Sequence, residues 1–144
     1  AMGEILDQAV DRLNMMLTRH DAKISFPETW PVAVGYAPWV EEVWVNYISN
    51  GIKYGGELPS LTCGATVQND GMIKFWIKDN GDGLSDEMTA SLFMEFIRLR
   101  QTRAQGYGLG LSIVKRIIDK LDGTVGVESV VGEGSTFYFI LPAA

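Results

Sequence analysis

A chain of 144 residues, 47% hydrophobic and 21% charged, is long enough for one domain with a real core, and its four Trp, six Phe and five Tyr exclude disorder. The net charge of −6 argues against a domain that coats nucleic acid, but local cations and backbone amides still leave room for a small anionic ligand. The single cysteine, Cys63, excludes an internal disulfide and a Cys-rich zinc site and fits a reducing compartment.

Apolar residues Ile5, Leu6, Ala9, Leu13, Met16 and Leu17 recur at helical spacing, so an amphipathic helix is expected over 3–19. Lys23-Ile24-Ser25-Phe26 and Val32-Ala33-Val34 are short β-rich pieces around Pro27 and Pro31. Pro38 opens a second helix that runs to Tyr54 and stops at Gly55-Gly56. Strands follow at 61–68 and 72–78, joined by the hairpin signal Asn69-Asp70-Gly71. Ser85 is a candidate N-cap for a short helix to Met94, and the cationic stretch 98–107 reads as a loop. A third long helix spans 109–121, and strands at 124–129 and 135–141 close the chain. Hairpins joining both strand pairs favour a mixed sheet of about five strands with about three helices on one face, an α/β two-layer sandwich of the α+β class. No apolar run is long enough to span a bilayer and no secretory leader opens the chain. Ala1-Met2 reads as an expression remnant ahead of a single domain over 3–144, which could itself be a piece of a longer protein.

Three groups of residues suggest chemistry. On helix 38–54 an apolar stripe leaves Asn46, Asn50 and Lys53 along one flank. A carboxamide oxygen there suits Mg²⁺ and an ammonium suits phosphate, although a solvated polar edge has the same pattern. Asp79-Asn80-Gly81-Asp82-Gly83 ends a strand. A plain turn explains it, and so does a buried acceptor for an adenine amine with glycines that let the ring approach. A calcium loop does not, because the terminal Glu of the 12-residue frame is missing. Gly106-Tyr107-Gly108-Leu109-Gly110-Leu111 stands at a helix start, where free N–H groups and the helix dipole favour phosphate, and where plain turns also occur.

In order along the chain, Asn46-xxx-Asn50-xx-Lys53-Tyr54, Asp79-Asn80-Gly81-Asp82-Gly83, Phe93-xx-Phe96-x-Arg98 and Gly106-x-Gly108-x-Gly110-Leu111 resemble the N, G1, F and G2 boxes of sensor histidine kinases. The ending Gly132-x-Gly134-Ser135-Thr136-Phe137, with Leu141-Pro142, is similar too. The resemblance covers nearly the whole chain and implies the Bergerat ATP-binding fold shared with gyrase, Hsp90 and MutL proteins. It implies ATP and Mg²⁺ as cofactors: Asn50 ligates the metal, Asn46 supports the phosphates, Lys53 contacts phosphate and Tyr54 lies along the nucleotide. It gives Asp79 the adenine amine, has Gly81 and Gly83 shape the pocket, and brings Arg98 to the γ-phosphate, with Arg100 and Arg103 as looser candidates. Gly106, Gly108 and Gly110 would hinge a lid and offer amides to the phosphates, and Leu84, Phe93, Phe96, Tyr107, Leu109, Leu111 and Thr136 complete the implied nucleotide contacts.

The chain departs from the pattern at Gly51, where the family more often has Ala, at Asp122-Gly123 in place of paired glycines, and in a short segment between Phe96 and Gly106. Hydrolysing members of the fold carry Glu four residues before the metal-binding Asn. Here that position is Asn46, which is no general base at neutral pH, so transfer rather than hydrolysis is expected. The acceptor in such kinases is a histidine on a separate dimerisation domain. The only histidine here, His20, lacks acceptor surroundings and reads as a surface residue. The expected partners are therefore that domain in a homodimeric parent and a response regulator, with neither nucleic acid nor direct membrane contact, in a cytoplasmic setting whose parent is soluble or attached to the inner membrane. A same-fold module that does not transfer, or that phosphorylates a Ser of a partner, is the alternative, and a non-catalytic interaction domain is a more distant one.

Overall fold

Two hairpins and two helical crossovers set the sheet. The computed structural model describes residues 2–54, 58–81, 83, 87 and 106–144, without the side chains of Tyr54, 106–110 and Ser112. Helices α1 (Met2–Arg12) and α2 (Asn14–Arg19) lead to β1 (Lys23–Ser25) and α3 (Ala37–Tyr54). The hairpin β2 (Ser60–Val67) and β3 (Met72–Lys78) precedes α4 (Gly106–Lys120), and β4 (Thr124–Val130) and β5 (Gly134–Pro142) end the chain. The five strands lie in the order β1-β2-β3-β5-β4. β1 runs parallel to β2 and every other pair is antiparallel, so the sheet is mixed as expected.

Alternation along the central strands fixes which face is covered. Ile73, Phe75 and Ile77 of β3 sit opposite Leu141, Phe139 and Phe137 of β5, and all six are buried. Val43, Trp44, Tyr47 and Ile48 of α3 and Val114 and Ile118 of α4 pack onto them with 0% exposure. Trp44 meets Phe139 edge-on at 5.2 Å, and Phe75 stacks on Phe139 at 5.3 Å. Each such side chain contributes about 1.5–3 kcal/mol by leaving water, which makes this layer the main source of stability. The other face carries no helix among the described residues. There Trp76 lies over Gly64 and Tyr138 over Gly126, where any Cβ would enter the ring, and the Lys74 ammonium sits 4.2 Å above Tyr138 while pairing with Glu128 at 3.0 Å.

Several boundaries differ from the sequence reading. The first helix breaks at Leu13 (ψ 9°), a turn that lets both Leu13 and Leu17 reach the core. Met2 is the first residue of α1, and its sulfur accepts the Trp44 indole N–H at 3.1 Å. Val32–Val34 forms no strand. Ala33 makes one antiparallel bridge to Ala143, and the Val34 N–H donates to the Pro142 carbonyl at 2.8 Å. The last helix begins at Gly106 rather than 109. All but residue 87 of the expected helix 85–94 and most of the loop 98–107 lie outside the described residues.

Two of the family departures acquire physical reasons. Gly51 is buried where a Cβ would come within 2.9 Å of the Leu61 side chain, so an alanine there would require that side chain to shift. At the end of α4 the Asp122 N–H donates to the Asp119 carbonyl (3.2 Å) and the Gly123 N–H to the Ile118 carbonyl (2.9 Å), a Schellman cap with Asp122 at φ 64°. The second position needs its glycine for space, since a Cβ on Gly123 would strike the Ile140 carbonyl. Asp122→Gly is therefore expected to raise stability by about 1 kcal/mol, by removing the left-handed strain of a side chain. Thermal and urea unfolding check this, with Gly123→Ala moving both midpoints the other way.

Candidate functional site

Three elements converge at one end of the sheet. β3 ends in Asp79, and the Asp79 N–H donates to the Ser135 carbonyl at 2.9 Å, one rung beyond the last strand pair, Lys78 with Thr136. α3 ends at Tyr54, and the chain entering β2 is held beside the Asp79 turn, because the Ser60 N–H donates to Asn80 Oδ1 at 2.8 Å. α4 packs antiparallel on β4, and the two are nearly equal in length at about 22 Å. Its N-terminus at Gly106 therefore lies at the end of the sheet where β4 finishes. There Val130 abuts Gly83, whose φ is 78° and whose Cβ would strike the Val130 carbonyl.

Asp79 is 3% exposed. Its Oδ1 accepts the N–H of Gly81 at 2.9 Å and that of Ser135 at 3.2 Å. Its Oδ2 is buried, and among the described residues no donor reaches it. Burial pushes the carboxyl above its ordinary range, while the two backbone bonds pull it down. A buried acceptor that the chain leaves unmatched is costly, at about 1–3 kcal/mol, unless a ligand supplies the donor. The close approach of β5 depends on Gly134, at φ 101°, where a Cβ would strike the Asp79 carbonyl.

On α3 the Asn46 amide nitrogen donates to the Glu42 carbonyl at 2.8 Å, which leaves its oxygen for the flank shared with Asn50 and Lys53. Asn50 is half-buried and Lys53 exposed. Glu41 and Glu42, the acids nearest to Asn46 in sequence, are held by Arg12 at 2.9 and 2.8 Å. Asn50 is the metal candidate, and no group of three or more His, Cys, Asp or Glu residues among the described ones forms a rival centre. A cavity of about 430 Å³ lies at the other end of the sheet against Trp30, Val40 and Leu141 and takes in no candidate residue.

The geometry thus gathers Asp79, Gly81, Gly83, the C-terminal half of α3 and the start of α4 at one edge. Gly106, Gly108 and Gly110, expected as a hinge, form the first turns of α4; the amides of Gly106 and Gly108 belong to the four helix-start N–H donors without intrahelical partners, and Gly110 falls one residue past them. Tyr107 and Leu109 share those turns, and Leu111 is buried in the core. Leu84, Phe93, Phe96, Arg98, Arg100 and Arg103 fall outside the described residues, as does the Tyr54 side chain. Thr136 is not brought to this edge. It stands across from Lys78 and Glu128, with the opposite parity to Phe137 and Phe139, and so on the open face of the sheet. Ser135 is the β5 residue that meets Asp79. It is 2% exposed, and its hydroxyl lies 2.8 Å from that of Ser129. The sequence signal for Ser135 was its parity with the two core phenylalanines.

Residues 35–144 match the family described as histidine kinase-, DNA gyrase B-, and HSP90-like ATPase. The chain belongs to this family. It is 33% identical over 141 residues to the phytochrome-like protein Cph1 of Synechocystis, which takes in 96% of this chain and 19% of that protein. The adaptive-response sensory kinase SasA of Crocosphaera subtropica is 32% identical, with 94% of this chain and 36% of that one aligned. The methanogenesis regulatory histidine kinase FilI of Methanothrix harundinacea is 31% identical over 99% of this chain and 16% of its own length. The chain therefore spans well under half of these relatives. Among solved structures, full-length ShkA in complex with AMPPNP superposes with a TM-score of 0.81 at 24% identity, covering all of this chain and 30% of that one. The catalytic domain of histidine kinase ThkA gives 0.77 at 21% identity, covering 98% and 91%. The five-stranded mixed sheet and its helices are the fold of that catalytic domain, and the family is one of ATP-binding modules. No described helix of this histidine kinase-type domain is long and apolar enough to cross a membrane.

For this family member, Asp79→Asn keeps the Oδ1 acceptor but puts an amine where Oδ2 is. Adenine-nucleotide affinity is expected to fall by roughly a hundredfold in calorimetry, since two donors then face each other. The free protein should gain stability at neutral pH. With a folded pKa above the unfolded one, Asp79 costs stability as pH rises through that window and costs none below it. Thermal melts between about pH 4 and 7 should show that slope in the parent and lose it in Asp79→Asn.

Proposed function

We propose that this domain binds ATP with Mg²⁺ and donates the γ-phosphate to a histidine of a separate dimerisation domain, from which a response regulator takes it. The observation that carries the reading is the unmatched, buried Oδ2 of Asp79, which suits the exocyclic amine of adenine. Asn50 is the residue that would hold the metal, which when bound would supply charge neutralisation. Asn46 supports the phosphates and Lys53 pairs with them, while the amides at the start of α4 add donors. Arg98 is proposed for the γ-phosphate on the strength of the motif alone.

In the transfer an acceptor imidazole nitrogen bonds to the γ-phosphorus, the bond from that phosphorus to the bridging oxygen breaks, ADP leaves with the electron pair, and the imidazole proton passes to solvent. Such a step depends on positioning and charge more than on covalent help from the protein. The absence of a carboxylate at Asn46, with Glu41 and Glu42 engaged by Arg12, supports transfer over hydrolysis. His20 is exposed at the end of α2, and its own N–H serves that helix by donating to the Met16 carbonyl at 3.1 Å.

Incubating the chain with γ-radiolabelled ATP and Mg²⁺ should label nothing by itself. Adding a histidine phosphoacceptor domain should give an acid-labile, base-stable label on that domain. Label on His20, or a base-labile label on a partner serine, would refute the reading. Asn50→Ala should reduce transfer by at least roughly tenfold, with the loss eased by excess Mg²⁺.

A further inference from the structure

Asn80 has no role in the site as described so far, yet its side chain is committed. Its Oδ1 accepts the Ser60 N–H at 2.8 Å, and its Nδ2 lies 3.5 Å from the Leu58 carbonyl, although the residue is exposed. The register explains why this contact matters. β2 and β3 pair from Val67 with Ile73 down to Thr62 with Lys78, and the next hydrogen-bonding rung would join Ser60 to Asn80. The backbone ladder stops short of it, because β3 turns at Asp79 to bring the carboxylate under the Gly81 and Ser135 amides. Asn80 replaces the missing backbone rung with its side chain. Asp79 is thus gripped on the β5 side by backbone bonds and on the β2 side through its neighbour.

What the rung holds is the chain leaving α3. Residues 58–60 connect the helix bearing Asn46, Asn50 and Lys53 to β2, and β1 fastens to the same point through the Lys23 N–H and the Pro59 carbonyl at 2.9 Å. Resting on the nucleotide reading above, we infer that Asn80 is a positioning residue: its bond to Ser60 sets the span between the adenine-reading Asp79 and the phosphate-side flank of α3. A nucleotide touching both walls should feel its loss, and a ligand touching only the Asp79 wall should not.

The test compares ADP with adenosine, both with Mg²⁺, by competition against a fluorescent ADP analogue on the whole 144-residue chain. Asn80→Ala should weaken ADP roughly three- to tenfold, the worth of one hydrogen bond, and adenosine by less than about twofold. Ser60→Pro removes the same bond from the donor side, at a strand's first residue where proline is tolerated, and should give the same selective loss. The double variant should be no weaker than the worse single one. Equal losses for both ligands alongside a lower melting temperature would reduce Asn80 to a structural residue and overturn the inference. So would ADP affinity that survives Asn80→Ala, or that falls in Asn80→Ala but survives Ser60→Pro, the latter being the mark of direct contact with the ligand. A parent chain that binds no ADP would refute the nucleotide reading itself, and this inference with it.

Discussion

The fold is arranged so that one carboxylate sits out of water at the end of a strand. Asp79 holds that position because β3 and β5 continue their backbone bonding one rung past the sheet proper, and because two amides turn toward a single oxygen. The other oxygen is buried and meets no donor among the described residues. Gly134 makes this possible, since any side chain there would drive β5 away from the Asp79 carbonyl. A buried, half-satisfied acid lowers the stability of the free chain. The aromatic layer beneath it, with Phe75, Phe137 and Phe139 against Trp44 and Tyr47, offsets that loss.

The two layers divide the work. At the far end of the sheet the Val34 N–H donates to the Pro142 carbonyl and the Ala144 N–H to the Val32 carbonyl, and no described candidate residue lies there. The near end collects a helix C-terminus, a helix N-terminus and a strand end, three places where backbone groups lack regular partners. Such ends are where a fold offers hydrogen-bonding capacity without cutting into its core. A buried carboxylate with an unmatched oxygen, a carboxamide flank and helix-start amides fall together there for that reason.

The glycines separate into two kinds in the same way. Gly83, Gly123 and Gly134 are required because another part of the chain occupies the space a Cβ would take, and Gly64 and Gly126 because an aromatic ring does. Gly83 was expected to make room for a ring of the nucleotide. Its neighbour is the Val130 carbonyl, so it locks the turn after Asp79 to the end of β4. Pocket shape at this position is set by the protein's contact with itself.

The sequence by itself determined the order and type of nearly every described element, the mixed sheet, the face it buries and the candidate acid. Each of these follows from local turn chemistry and from periods of two and 3.6 residues, which are written in the chain. It also marked Asn46, Asn50 and Lys53 as one helix flank, since their spacing alone puts them there. Only the tertiary structure decided that Asp79 keeps one oxygen unmatched, that Ser135 rather than Thr136 meets it, and that Asn80 spans a gap in the β2–β3 ladder. Strand parity relative to a partner, the rung at which a ladder stops and the atoms a missing Cβ would strike depend on residues about 20 to 56 positions apart. No local pattern carries that information, because it arises only when the strands are brought side by side.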